Sequence, residues 1–161
     1  MNHSMIRQAV TTDIPALVAL LDELDDLHRE AMPWLLQEFD GPGSREFIEP
    51  FLSKPDHAAL VAEVPSQGIA GLLLVLVRDV SPVPIVRPAR VAELDTLVVG
   101  SAFRRRGIGK ALVEAGLRWA HDAGAARTEL GVYEFNESAR AFWSSVGFET
   151  LSRRLVQLHG R

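Results

Sequence analysis

The sequence predicts an α/β sandwich built on one mixed sheet. Three observations carry this. Short apolar strands alternate with helices of 3.6-residue periodicity in the order ββ, then β-α-β-α-β. A length of 161 residues suits a single domain spanning residues 1–161. Hydrophobic residues at 47% against 24% charged give enough apolar surface for a core and argue against a disordered chain.

Met5 to Val10 reads as a first strand. Thr12 or Asp13 is placed to cap a helix, and Pro15 is tolerated in its first turn. Ile14, Leu17, Val18, Leu21 and Leu24 then recur at helical spacing, so one stripe faces a core. Pro33 breaks that run, Gly41-Pro42-Gly43 is a turn, and Ser44 caps a short helix through Leu52. Ala58 to Val64 and Ile69 to Val77 read as strands joined by a hairpin at Pro65–Gly68. Pro82, Pro84 and Pro88 make the next segment a loop or an edge. Val91 to Val99 is a strand, Gly107 to Ala123 a helix stopped by Gly124, Arg127 to Tyr133 a strand, Glu137 to Val146 a helix ended by Gly147, and Phe148 to Leu158 a closing strand.

Composition removes several function classes. A net charge of −4 argues against bulk attraction to nucleic acid or an anionic membrane. Cysteine is absent, which excludes disulfides, thiolate metal sites and a cysteinyl acyl intermediate, and leans the chain toward the cytoplasm. Ile69 to Val77 is too short to span a bilayer, and Met1 to Gln8 has no apolar stretch of the signal-peptide kind. His3, His57, His121 and His159 lack metal-site spacing, so no metal is expected.

The chemically informative segment is Arg104-Arg105-Arg106-Gly107-Ile108-Gly109-Lys110, between a strand and a helix start. The first N–H groups of a helix lack internal partners, and the helix dipole favours negative charge there. Gly107 and Gly109 let a ligand approach the backbone, and four cationic side chains face no acid in the stretch. A pyrophosphate fits this combination. A P-loop is excluded because Ala111 follows Lys110 and the glycine spacing fails, and a dinucleotide fingerprint fails at Leu112.

Arg104-Arg105-Arg106-Gly107-Ile108-Gly109 resembles the Arg/Gln-x-x-Gly-x-Gly/Ala signature of the GNAT N-acetyltransferase superfamily, and Glu93 to Val99 resembles that family's fourth strand. Asn136 to Phe148 resembles its downstream motif, Asn-x-x-Ala-x-x-Phe-Tyr-x-x-x-Gly-Phe. The resemblance implies a mostly antiparallel sheet with helices on both faces, splayed between the fourth and fifth strands. It implies acetyl-CoA as co-substrate and a primary amine as acceptor, in a small molecule by preference or in a peptide. Amides from Arg105 to Lys110 would take the pyrophosphate. Leu97 and Val99 would pair with the pantetheine arm as an added strand, and the Val98 N–H would polarise the thioester carbonyl. Asn136, Phe142 and Trp143 fall on the coenzyme side. A homodimer is carried by analogy alone.

Direct transfer needs a neutral amine, a polarised carbonyl and a proton for the leaving thiolate. The resemblance puts the base at Glu93, with Asp95 competing from the same strand face. Where the family often has a tyrosine acid, this chain has Trp143, whose indole N–H cannot release a proton at useful pH. Tyr133, the chain's one tyrosine, is the substitute candidate. His28 and Trp34, beside the first helix break, are expected to line the acceptor pocket. Asp22, Glu23, Asp25 and Asp26 read as a solvated face. The departure at Trp143 also motivates an alternative, a GNAT-like module that senses acyl-CoA without turnover.

Overall fold

The computed structural model describes residues 4–39, 43–81 and 83–160. The expected Gly41-Pro42 turn and Pro82 lie outside them. The chain forms two compact units, residues 1–131 and 132–161.

The first unit is a five-stranded sheet in the order β1-β2-β3-β4-β5. Its strands are β1 (Met5–Gln8), β2 (His57–Val64), β3 (Gly68–Val80), β4 (Ala89–Val99) and β5 (Arg127–Leu130). All neighbours are antiparallel except β4 and β5, which run parallel. α1 (Ile14–Ala31) and α2 (Gly43–Ser53) cover one face. There Leu17, Leu20, Leu21, Ile48 and Phe51 pack on Ala59, Val61, Leu72, Leu74 and Val98. α3 (Ile108–Asp122) covers the other, where Ala120 and Trp119 meet Val77 and Ala92. Gly116 brings α3 close to the sheet, since a Cβ there would meet Leu73 Cδ2 at 2.4 Å.

The entry to α1 is held by charge. A single 3-10 turn, Thr11–Asp13, precedes it, and Asp13 accepts from Arg7 at 2.8 and 3.0 Å and from the Val10 N–H at 2.9 Å. Arg7 also donates from Nε to Glu63 on β2 at 2.7 Å. The Arg7 guanidinium holds the Asp13 carboxyl below the usual carboxylate range.

One irregularity breaks the ladder between β3 and β4. Register shifts between Leu74 and Val75, which leaves Asp95 as an extra β4 residue between Leu94 (opposite Val75) and Thr96 (opposite Leu74). A bulge of this kind disturbs the ladder and re-aims the chain. β5 pairs only with Val91 to Leu94, so the two strands part where β4 bulges. This also corrects the expected length of the fifth strand: it ends at Leu130, and Tyr133 lies beyond it.

The second unit holds α4 (Glu137–Ser145), followed by Gly147 at φ 95°. The rings of Phe142 and Trp143 meet edge to face at 5.1 Å, as do those of Trp143 and Phe148 at 5.4 Å. The expected closing strand, Phe148 to Leu158, is not formed. A strand exists only where a neighbour completes its ladder. Among the described residues this segment pairs with none, and Leu151 and Leu155 stand 82% and 89% exposed.

Candidate active site

Among the described residues, the outer edge of β4 has no strand partner beyond Leu94. Which groups it offers follows from the ladder. Gly100 donates its N–H to Ala70 O at 2.9 Å, and two residues back Val98 stands opposite Leu72. Hydrogen-bonded and non-hydrogen-bonded pairs alternate in an antiparallel ladder. Val98 therefore turns its N–H and C=O toward β3, while Leu97 and Val99 turn theirs toward the open edge. The Val98 N–H, expected to polarise a bound carbonyl, is thus turned into the β3 ladder, and the groups that face outward are those of Leu97 and Val99. An independent contact agrees, because Arg104 Nε reaches the Val99 carbonyl from the open side at 3.0 Å.

After β4 a 3-10 turn, Ser101–Phe103, leads into the basic segment. Arg105 is left-handed at φ 64°, and Gly107, the N-cap of α3, is left-handed at φ 79° and ψ 0°. A Cβ added at Gly107 would meet nothing within 4 Å, so glycine is required there by backbone conformation and not by crowding. No side chain caps α3. Among the described residues, the amides from Arg104 to Lys110 donate to no partner, and the first bond into the helix is Ala111 N–H to Gly107 O at 3.1 Å. A turn of unspent amides at a helix N-terminus is an anion cradle.

The cationic side chains divide into two pairs. Arg104 donates to Val99 O and, from Nη2, to Glu23 of α1 at 2.6 Å. Arg106 donates to Ala102 O at 2.9 Å and lies over the Phe103 ring at 5.4 Å. Arg105 and Lys110 are exposed and take no partner among the described residues, so they remain available to an anion. Ile108 is buried, facing Gly71 beneath the helix start.

Glu93 stands on the α1–α2 face of the sheet, in register with Leu76 of β3 and, through Leu76, with His57 of β2. On its other side it is opposite Glu129 of β5. Its carboxylate lies 3.4 Å from Arg78 Nε and is 38% exposed, so it is reachable from solvent. Asp95, the bulge residue, is exposed and accepts from Thr96 Oγ1 at 2.9 Å. It shares the face of Glu93, but the bulge then shifts the alternation by one, so Thr96 and Val98 follow on that face. His57 has a buried Nδ1 without a hydrogen-bond partner among the described residues and packs edge to face on Phe51 at 4.6 Å. Burial pushes its imidazole below the usual range and Lys54 adds to this, while Asp56 and Asp95 oppose it.

The remaining candidates lie elsewhere on the two units. His28 is in the last turn of α1, where burial lowers its pKa against the pull of Asp25; Trp34, 45% exposed, lies in the turn that follows. In the second unit, Asn136 caps α4 by accepting the Ala139 N–H on its side-chain oxygen at 3.0 Å. Tyr133 stacks on Phe135 at 6.0 Å. Trp143 is committed to the aromatic trio with Phe142 and Phe148.

The acidic stripe of α1 is not simply solvated. Asp22 accepts from Ser44 Oγ at 2.6 Å, and Glu23 accepts from both Arg104 and the Ser101 N–H. The sequence held a signal for this: Glu23 follows Leu20 by three residues and so borders the buried stripe. Arg78, by contrast, had no signal, since only strand register brings it to Glu93.

Structures with this fold are known. The tetramutant of BH1408 protein from Bacillus halodurans superposes with a TM-score of 0.90 at 19% identity, covering 96% of this chain and 99% of that one. A transcriptional regulator from the same organism gives 0.76 at 21%, covering 98% and 100%. The aminoglycoside N-acetyltransferase AAC(6')-Iy in complex with CoA gives 0.71 at 20%, covering 100% and 97%. These likenesses show the fold. No curated protein matches the chain. The model of the acetyltransferase (GNAT) family matches residues 21–148, a span that takes in the acidic stripe, the open β4 edge and the anion cradle. The chain is therefore a member of the acetyltransferase (GNAT) family.

Proposed function

We propose that this chain transfers an acetyl group from acetyl-CoA directly to the primary amine of a small molecule, a peptide amine being the alternative acceptor. The observation that carries the reading is the unspent amide turn from Arg104 to Lys110, continuous with an open β4 edge. The turn, with Arg105 and Lys110, would take the pyrophosphate. The edge groups of Leu97 and Val99 would take the pantetheine amides, and one of their N–H groups would polarise the thioester carbonyl. Glu93 is the proposed base, with Asp95 as competitor. With Glu129 they put three carboxylates at or beside the parting of β4 and β5, which suits a cationic acceptor. The named function of AAC(6')-Iy, an aminoglycoside N-acetyltransferase, agrees with a small polyamine. His28 and Trp34 are proposed to line the acceptor side, and Asn136, Phe142 and Trp143 the coenzyme side. The working form is proposed as one acetyltransferase domain, residues 1–161, in the cytoplasm, alone or as a homodimer, with neither nucleic acid nor membrane as partner.

Tyr133 is the proposed proton donor to the thiolate, because Trp143 cannot serve. The packing of Trp143 between Phe142 and Phe148 favours a second reading, an acyl-CoA sensor without turnover. One experiment separates the two: release of free thiol from acetyl-CoA across a panel of amines. Amine-dependent release supports the transferase, and binding of acetyl-CoA with no release on any amine supports the sensor.

A further inference from the structure

Arg104 heads the basic segment, yet its guanidinium faces away from the role its charge suggests. Nε donates to the Val99 carbonyl at 3.0 Å, and Nη2 donates to Glu23 at 2.6 Å. Glu23 accepts in turn from the Ser101 N–H at 3.1 Å, through the same oxygen. One carboxylate of α1 thus ties together the end of β4, the 3-10 turn and the first residue of the cradle. The carbonyl that Arg104 occupies is also one of those the open β4 edge presents outward.

From this geometry we propose that Arg104, held by Glu23, is a positioning residue that plugs the β4 edge, and that an incoming pantetheine amide must displace it from Val99. The inference rests on the coenzyme reading above. The plug satisfies an edge acceptor that no strand covers among the described residues. When an extended amide chain adds to the edge, its N–H takes over the Val99 carbonyl. The guanidinium then stays on Glu23, and the Ser101 contact keeps the turn in place. The side chain of Arg104 accordingly sets how tightly the pantetheine arm binds and contributes little to the nucleotide end.

The test compares CoA with 3′-phospho-ADP, which carries the same nucleotide and no pantetheine, on the full chain by calorimetric titration. Arg104→Lys keeps the positive charge but lacks the forked donor that spans Glu23 and Val99. It is expected to raise the ratio of the 3′-phospho-ADP Kd to the CoA Kd about threefold to tenfold over wild type, the scale of one net hydrogen bond. Glu23→Gln, which loosens the tether and keeps an acceptor for Ser101, is expected to move the ratio the same way by a smaller factor. Both Kd values unchanged in Arg104→Lys would mean that both donors share the carbonyl, and both raised by the same factor would make Arg104 a phosphate ligand; either result leaves the ratio at its wild-type value and overturns the plug. Wild-type protein that binds neither ligand overturns the coenzyme reading itself, a result distinct from both.

Discussion

Glu93 of β4 and Glu129 of β5 stand directly opposite each other across the parallel pair, and each is matched to an arginine. Arg78 Nε lies 3.4 Å from Glu93, and Arg127 Nε lies 2.6 Å from Glu129. Two like charges at adjacent strand positions repel, and the flanking guanidinium groups offset this. The pair forms the last rung before the strands part, bar that of Leu94 with Leu130, so its carboxylates border the opening.

Removing the proposed base should show in turnover and not in coenzyme binding. Glu93→Gln is expected to lower kcat for an accepted amine about a hundredfold or more, the usual scale for a positioned base, and to leave the KM for acetyl-CoA within about twofold. Steady-state kinetics with both substrates varied checks this. Full retention of kcat would transfer the role to Asp95 or to water. Tyr133→Phe is expected to lower kcat as well, and wild-type turnover would remove it as proton donor.

The cradle depends on a left-handed residue. Gly107→Ala puts a Cβ at φ 79°, a conformation costing about 1–2 kcal/mol for other residues. Lower thermal stability by that amount is expected, together with weaker CoA binding as the turn rearranges. Gly109→Trp should abolish CoA binding by filling the approach to the amides, while circular dichroism reports an intact fold. Unchanged affinity in Gly109→Trp would refute the site.

His57 should make stability depend on pH. Its pKa lies below the unfolded value, so the unfolded chain takes up a proton first as the pH falls. Stability is therefore expected to drop as pH decreases from about 7.5 through the normal histidine range near 6.5. His57→Leu removes both that proton and the unpartnered Nδ1. The variant should lack this part of the pH dependence and equal or exceed wild type by about 1 kcal/mol near pH 6. Denaturant melts at pH 7.5, 6.5 and 5.5 give the comparison, and parallel slopes in the two proteins would contradict it.

Asp13 should act with the opposite sign. Its folded pKa lies below the unfolded value, so the stabilisation is present at neutral pH and is lost as the pH falls below about 4. Asp13→Asn is expected to cost about 1–2 kcal/mol at pH 7, the scale of a charged hydrogen bond. The gap from wild type should shrink in acid. A cost that stays constant down to pH 3 would contradict this assignment.

Much of this arrangement can be read from residue order. Ile14 to Leu24 announces α1 through its spacing, and the glycines at 107 and 109 after a strand announce the amide turn. What escaped depends on neighbours that no local pattern encodes. The bulge at Asp95 exists only relative to β3, and it decides that Leu97 and Val99, not Val98, face the open edge. The segment after Phe148 has strand-like residues but no ladder partner, and propensity without a neighbour does not make a strand. Arg104 reads as one more cation until Glu23 and the Val99 carbonyl are seen to hold it.

The extra residue at position 95 has a further consequence. Up to that point odd-numbered side chains such as Glu93 look toward α1 and α2; past it, even-numbered ones such as Val98 do. The half of the strand that carries Glu93 and the half with the open edge are thus out of phase by a single position. Deleting any one residue between Glu93 and Leu97 would restore strict parity, and in doing so would bring either the carboxylate or the edge amides to the wrong side while leaving the composition of the strand almost untouched.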